Sequence, residues 1–255
     1  MDEKPVLSGK PLLEELLPFL RPKPGVAPAA AVCRPAEPDG CDAYRVRAAA
    51  YKKIIEKYAD YIGLQEEKTI PALKELVNGE DAAIRQLAAD LKEELERGLA
   101  ERAGVEADKS ELQYNFRRDF LGLAEKAFDL VQALSPINAD LSVSYWLSPR
   151  DVVDLKAADP FDKAIFLCSL LHALGEKTAK IRVVELEGGA RHPLVLFEHA
   201  GKRFVLDPSD ADCRFNASWT EGTHEELVRA ALCGGKKVTR PLYEFNDENY
   251  QQFTE

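Results

Sequence analysis

Residues 159–175 read DPFDKAIFLCSLLHALG, and this stretch decides the fold. It predicts a helix, and residues typical of helix ends indicate where the helix begins and where it stops. Asp159 is a preferred N-cap residue, Pro160 suits the first helical position, and Gly175 suits the left-handed residue that ends a helix. Apolar side chains cover nearly the whole circumference of this helix, a pattern typical of a helix that protein surrounds on all sides. We therefore predict that it is the central helix of the core.

The chain after this helix is predicted to form an antiparallel sheet. Period-two alternation of apolar and polar residues, bounded by turn residues, indicates strands. It occurs in three stretches and in a possible fourth: Lys180 to Leu186, His192 to Glu198, Arg203 to Asp207, and Lys237 to Phe245. Residues 241–253 are expected to return to the sheet and to finish in a short helix. Helices followed by a core helix and a sheet indicate an α+β fold.

The turn between the second and third strands sets their register. With Ala200 and Gly201 as the two turn residues, counting along both strands places Asp207 opposite Leu194. Asp207 then becomes the same-face diagonal neighbour of His192, within reach of a side-chain contact.

Two roles are open for His192 and Asp207. A carboxylate that accepts a hydrogen bond from one imidazole nitrogen fixes the tautomer and leaves the other nitrogen to act on a nucleophile, as in a hydrolytic triad. The structural alternative is a histidine in a hairpin and an aspartate that caps the turn at Pro208 and Ser209. A retained pair could also bind a carboxylate, an amide or a peptide end without turnover.

The motifs on these elements resemble the transglutaminase-like superfamily, which has a papain-related fold. Its members commonly read C-x-D-x-A at the start of the core helix, LL-x-ALG near its end, H-x-W/V-V-E on one strand and W/Y-V-x-LDP on the next. The resemblance covers about residues 145–210. Residues 162–164 match D-x-A, residues 174–175 match LG, and His192 and Asp207 match the catalytic histidine and aspartate of the family.

The chain departs from this family pattern at the nucleophile. The cysteine position, two residues before Asp162, holds Pro160. Proline offers no nucleophile, so the acyl-enzyme route is closed there. The resemblance therefore implies a catalytically inactive domain, a pseudoenzyme, that acts as a binding or scaffolding module for a protein or peptide.

The alternative is an active cysteine hydrolase or acyltransferase, of protease or transglutaminase type, that uses Cys168, His192 and Asp207. Cys168 lies eight residues after Pro160, about 12 Å along the helix at a rise of 1.5 Å per residue. Its thiol is therefore remote from the helix N-terminus, where thiol pKa values are lowered. A Cys168 sulfur within about 4 Å of a His192 ring nitrogen would favour the enzyme.

The N-terminal half is predicted to be helical. Residues 1–42 are rich in proline and alanine and are expected to form an arm with one short helix after Pro11. Residues 43–140 form the helical region and residues 141–255 the transglutaminase-like domain. Apolar residues at helical spacing predict four amphipathic helices, the last with Asp108 or Ser110 as its N-cap: Cys41 to Tyr61, Glu66 to Val77, Asp81 to Ala103, and Ser110 to Leu134. A large exposed apolar patch on the last two would instead indicate a structural assembly protein.

Composition excludes some partners and locations. The formal net charge of −10 makes nucleic acid an unexpected partner. No stretch approaches the roughly twenty apolar residues of a membrane helix, and the N-terminus lacks the pattern of a signal peptide. We therefore expect a cytoplasmic protein with no membrane association. Its five cysteines are accordingly expected to be thiols.

No cofactor or metal is expected from the spacing of metal-ligating residues. The possible ligands complete no recognised zinc pattern: Cys33, Cys41, Cys213, Cys233 and His224. His172, near the end of the core helix, is expected to interact with the carboxyl end of that helix. His199, next to the hairpin turn, is expected to face solvent.

Overall fold

The computed structural model describes residues 48, 50–61, 68–103, 112–137, 146–215, 219–220 and 222–253. The predicted arm, its short helix after Pro11 and the beginning of the predicted helix Cys41 to Tyr61 lie outside these residues. Within that predicted helix, residues 48, 50–57 and 59–61 are helical. None of the helices in the described residues is both long and apolar enough to span a membrane.

Six helices follow in the described chain: α1 Ile70–Glu75, α2 Ala82–Ala103, α3 Phe116–Gln132, α4 Pro149–Leu155, α5 Pro160–Leu174 and α6 His224–Ala230. The first three agree with predicted helices. However, α3 begins at Phe116, later than predicted, because the Asn115 side chain caps it by accepting hydrogen bonds from the backbone N–H groups of Arg117 and Arg118. The N-cap of α3 is therefore Asn115, and the predicted caps Asp108 and Ser110 lie outside the described residues.

The helix α5 begins and ends where the sequence predicts. The Asp159 side chain accepts a hydrogen bond from the backbone N–H of Asp162 at 2.8 Å, Pro160 is the first helical residue, and Gly175 ends the helix with a φ of 113°. Its residues pack against the sheet on one side and against α2 and α3 on the other, in one large hydrophobic core. The prediction of a central helix in an α+β fold is confirmed.

Seven strands form an antiparallel sheet: β3 Lys180–Leu186, β4 Arg191–His199, β5 Lys202–Leu206, β6 Trp219–Thr220, β7 Leu232–Cys233, β8 Lys236–Phe245 and β9 Tyr250–Gln252. Their order is β6-β5-β4-β3-β8-β7, with β9 paired to the end of β8. A separate short parallel pair joins β1 Ser135–Pro136 to β2 Ala157–Ala158. The four predicted strands are confirmed.

The predicted short helix at the C-terminus is wrong, because residues 250–252 form β9 instead. The side-chain oxygen of Asn246 accepts hydrogen bonds from the backbone N–H groups of Glu248 and Asn249. These bonds fold the chain back, and Tyr250 pairs with Phe245 along the edge of β8.

The sheet has two buried faces, and this determines where the site lies. Val183, Val195 and Phe197 belong to the large core on the side of α5. The alternate residues of these strands belong to a smaller core on the opposite side, which α6 covers. This core consists of Val184, Leu186, Leu194, Leu196, Val205, Val228, Cys233 and Val238. Successive side chains of a strand point to opposite faces, so His192, two residues before Leu194, lies on the α6 face.

The described parts of α2 and α3 carry no exposed large apolar side chain. The exposed ones are elsewhere in the described chain: Tyr51, Ile54, Tyr58, Tyr61, Ile70, Ile137 and Leu155. The described residues of α2 and α3 therefore lack the apolar patch that would indicate a structural assembly protein.

Candidate functional site

The structure brings His192 and Asp207 together at one end of the β4–β5 hairpin. Val195 pairs with Leu206, which places Leu194 opposite Asp207 as the sequence predicts. The turn residues Ala200 and Gly201 take positive φ values of 50° and 77°. Nε2 of His192 lies 2.6 Å from Oδ2 of Asp207, with side-chain exposures of 15% and 6%. The predicted register is confirmed, and the catalytic role of the pair stays a prediction.

Asp207 also holds the turn that follows it. Its Oδ1 accepts hydrogen bonds from the Ser209 backbone N–H at 3.0 Å, from the Ser209 hydroxyl at 2.6 Å and from the Asp210 backbone N–H at 3.2 Å. Burial by itself raises the pKa of Asp207, but the hydrogen bonds from His192 and Ser209 and the charge of His192 outweigh it and lower the pKa below 3.8. Asp207 is therefore ionised at neutral pH, and one carboxylate serves both the turn and the histidine.

A third side chain, that of Cys233 on β7, joins this pair. One donor atom from each of His192, Asp207 and Cys233 lies within 4.8 Å of the other two. Cys233 is 3% exposed. Burial raises the pKa of its thiol to about 12, and the nearby charges of Asp207 and Asp210 act in the same direction. The thiol is therefore protonated at neutral pH.

Sequence reasoning missed Cys233 because a long-range contact brings it to the site. It lies 26 residues after Asp207, on a strand of two residues. The signal available in the sequence was Gly234-Gly235, a turn pair that joins β7 to β8 and pairs Cys233 with Lys236. That signal predicts a hairpin but not which part of the sheet the hairpin meets.

The structure does not bring Cys168 to the pair. Cys168 is fully buried on α5, and its Sγ lies 4.0 Å from Nε2 of His172, which is 2.8 Å from the Ala179 carbonyl oxygen. Ala179 precedes β3, whereas His192 pairs with Val184, five residues further on, about 16 Å at roughly 3.3 Å per residue. Cys168 therefore lies on the opposite face and near the other end of the sheet.

The environment of Cys168 also opposes ionisation. Burial, and then the charge of Asp247, raise the pKa of the Cys168 thiol. His172 is equally enclosed, with an unexposed side chain whose Nδ1 lies 3.4 Å from Oδ1 of Asp247. This group of side chains packs in the large core, away from the cleft position that the family resemblance implies.

The beginning of α5 carries two buried ionisable side chains, those of Asp162 and Lys163. Asp162 is 3% exposed, and its Oδ1 accepts a hydrogen bond from the Leu147 backbone N–H at 3.1 Å. Burial and the charge of Asp159 raise the pKa of Asp162 to about 7. Lys163 is 4% exposed and donates to the Gln132 carbonyl oxygen at 3.2 Å. Burial lowers its pKa, an effect that the charge of Asp207 opposes.

Hydrogen bonds on two sides fix the position of the loop after β5. The Gln132 side chain on α3 donates to the carbonyl oxygens of Asp210 and Cys213 at 2.7 and 3.0 Å. Oδ2 of Asp210 accepts a hydrogen bond from the Gly234 backbone N–H at 3.2 Å. These bonds hold the loop against both α3 and the turn that follows Cys233.

The expectation that His199 faces solvent is wrong. Its Nδ1 lies 3.1 Å from Oε2 of Glu176, and its ring packs with those of Phe116 and Phe120 at centroid distances of 5.1 and 4.6 Å. The reason is register, because position 199 is the last of β4 and shares its face with Phe197 in the large core.

Comparison with known proteins finds low similarity only. The sequence matches no protein-family model and no curated protein. The structure of LapG from Legionella pneumophila has a TM-score of 0.41 and 15% identity, covering 79% of this chain and 87% of LapG. Its EGTA-treated form gives 0.40 and 16%, with coverages of 80% and 86%. The calcium-bound form gives 0.41 and 15%, with 78% and 87%. Similarity at this level does not carry a family or a function over to this chain.

Proposed function

We propose that this chain carries a catalytically inactive transglutaminase-like domain that acts as a binding or scaffolding module for a protein or peptide. The observation that carries the proposal is which residues occupy the three positions of the triad. His192 and Asp207 are in hydrogen-bond contact at 2.6 Å, whereas Pro160 occupies the first position of α5, where the family places its cysteine.

Neither Cys168 nor Cys233 replaces the missing nucleophile. Cys168 lies across the sheet from His192, in a fully buried position. Cys233 lies beside the pair, but its thiol hydrogen-bonds to Asp207. A nucleophile is activated when an adjacent base takes its proton or its pKa is lowered. Neither route activates the Cys233 thiol. Its hydrogen-bond partner is the Asp207 carboxylate, and its pKa is raised to about 12.

The remaining pair is suited to a structural or binding role. Besides the hydrogen bond of the Cys233 thiol, Asp207 accepts three hydrogen bonds from the Ser209–Asp210 turn and one from His192. This satisfied network fixes the end of β5 and orients the imidazole. His192 retains partial exposure, with 15% of its side chain accessible. It can therefore contact a carboxylate or amide of a bound chain without any covalent step.

The test is labelling of the folded protein with iodoacetamide across roughly pH 5 to 9, the range in which perturbed thiols become reactive. Mass spectrometry locates the modified cysteines, and His192→Ala is the matched control. We expect no labelling of Cys168 or Cys233 that depends on His192 below about pH 7. Both cysteines should label after unfolding in urea, which shows that the reagent and the peptide detection work.

Rapid labelling of Cys168 or Cys233 at acidic pH, abolished by His192→Ala, would establish an activated thiol and contradict the proposal. In that case Cys168, His192 and Asp207, or Cys233 with the same pair, would define a cysteine hydrolase or acyltransferase. The labelling is repeated after treatment with a chelator, so that a bound metal cannot conceal a reactive thiol.

A further inference from the structure

Three potential metal ligands meet on the α6 face of the sheet. His192 comes from the start of β4, Asp207 from the residue after β5, and Cys233 from the end of β7. Their donor atoms lie within 4.8 Å of one another, and the three residues are largely buried. Nitrogen, carboxylate oxygen and sulfur are the three donor types that zinc takes in proteins.

The spacing of the three atoms suits one ion after small side-chain movements. Zinc bonds of about 2.0 Å to nitrogen and oxygen and 2.3 Å to sulfur put tetrahedral ligand atoms roughly 3.3 to 3.6 Å apart. The 2.6 Å contact between His192 and Asp207 opens slightly to admit the ion, and the separation to Cys233 closes from at most 4.8 Å. Each change is about 1 Å, within the reach of a side-chain rotation.

The surroundings orient these ligands as outer hydrogen bonds do in metal sites. Oδ1 of Asp207 is fixed by Ser209 and Asp210, which leaves Oδ2, the oxygen now bonded to His192, as the donor toward the ion. The Asp210 carboxylate accepts a hydrogen bond from the backbone N–H of Gly234, the residue after Cys233. Two of the three ligands are therefore positioned by contacts that do not involve the ion.

We propose that His192, Asp207 and Cys233 bind one divalent transition-metal ion of the zinc type. The thiolate favours zinc over magnesium and calcium, which prefer oxygen ligands. This inference goes beyond the proposed function and does not depend on it. Sequence spacing concealed the site because the ligands come from β4, from the residue after β5 and from β7, and are 15 and 26 positions apart in the sequence.

The first experiment uses the wild-type protein, purified without a polyhistidine tag, and needs no variant. Zinc content per chain is measured by inductively coupled plasma mass spectrometry, and zinc affinity by competition with a chromophoric chelator. Cobalt is added to the metal-free protein, because a thiolate ligand gives a near-ultraviolet charge-transfer band. We expect one zinc per chain, a dissociation constant below about 1 µM, and a cobalt band that zinc displaces.

Variants then assign the ligands. Cys233→Ser and His192→Gln should each weaken zinc binding by about 100-fold or more, beyond the roughly 10- to 100-fold cost of losing an outer partner. Cys213→Ser is the matched control, since Cys213 lies in the adjoining loop and should leave both zinc content and cobalt band intact. Circular dichroism verifies that each variant is folded.

Zinc binding weaker than about 1 µM in the wild type, or a cobalt spectrum without a thiolate band, would overturn the proposal. So would loss of the ion from Cys213→Ser with retention in Cys233→Ser. None of these results would contradict the proposed inactivity of the domain, because thiol labelling after chelation tests that proposal separately. Conversely, an activated thiol found in the metal-free protein contradicts the proposed function while leaving the zinc measurement intact.

Discussion

The carboxyl group of Asp162 provides a sharp test of the electrostatics at the start of α5. Asp162 is 3% exposed, and it accepts a hydrogen bond from the Leu147 backbone N–H. Replacement by asparagine keeps an oxygen in the same place for Leu147 but removes the charge. Because burial and Asp159 raise the pKa of Asp162 to about 7, the Asp162→Asn substitution should change how stability depends on pH.

The sign and size follow from proton linkage. A carboxyl whose folded pKa is raised binds its proton more tightly in the folded state, so it favours folding at low pH and loses that contribution as pH rises from about 4 to about 7. The rise in the pKa of Asp162 from 3.8 to about 7 corresponds to a contribution of at most about 4 kcal/mol to the free energy of unfolding. In Asp162→Asn this contribution is absent at every pH. The stability of the variant relative to the wild type should therefore rise by up to about 4 kcal/mol between pH 4 and pH 8.

Urea denaturation monitored by far-ultraviolet circular dichroism, at intervals across roughly pH 4 to 8, measures this difference directly. Asp119→Asn is a control that should lack this pH dependence, because the hydrogen bond from Arg118 lowers the pKa of Asp119 and confines its contribution to pH values below about 4. If the difference between wild type and Asp162→Asn stays constant within about 0.5 kcal/mol over this range, the pKa of Asp162 is not raised and the reasoning fails.

Two further predictions concern packing and charge. Glu244→Gln removes the partner of the buried Arg182, whose Nε lies 2.9 Å from Oε2 of Glu244. The free energy of unfolding measured in urea should fall by about 3 to 5 kcal/mol, and a loss below about 1 kcal/mol would contradict the ion pair. Gly175→Ala introduces a Cβ at a φ of 113°, 3.0 Å from the Phe116 ring. It should destabilise the protein by more than about 1 kcal/mol, whereas Gly122→Ala, with no atom within 4 Å of the new Cβ, should stabilise α3 slightly.

Local sequence signals predicted the central helix and the main hairpin correctly. Asp159, Pro160 and Gly175 mark the ends of α5 through contacts within a few residues of each end. Likewise, the Ala200-Gly201 turn sets the register of β4 and β5 without help from distant residues. Such features are predictable because the interactions that form them connect residues near in sequence.

Two incorrect expectations involve competition from longer-range contacts. His199 was expected in solvent because it adjoins a turn, yet Phe116 and Phe120 from α3 enclose it. The stretch 241–253 is predicted to finish in a short helix, yet residues 250–252 pair with the edge of β8 as a strand. An exposed strand edge offers backbone hydrogen bonds that outweigh a weak local helical preference.

The sequence by itself determined that His192 and Asp207 would meet, because the hairpin register follows from counting and side chains two residues apart along a strand share a face. It also predicted that Pro160 stands at the start of α5, where the resemblance implies a nucleophile. Only the tertiary structure decided that Cys168 lies on the far face of the sheet and that Cys233 lies beside the pair. Those positions depend on which face α5 covers and on where a later hairpin joins the sheet, and both are fixed by burial of apolar surface across the whole core rather than by any local pattern.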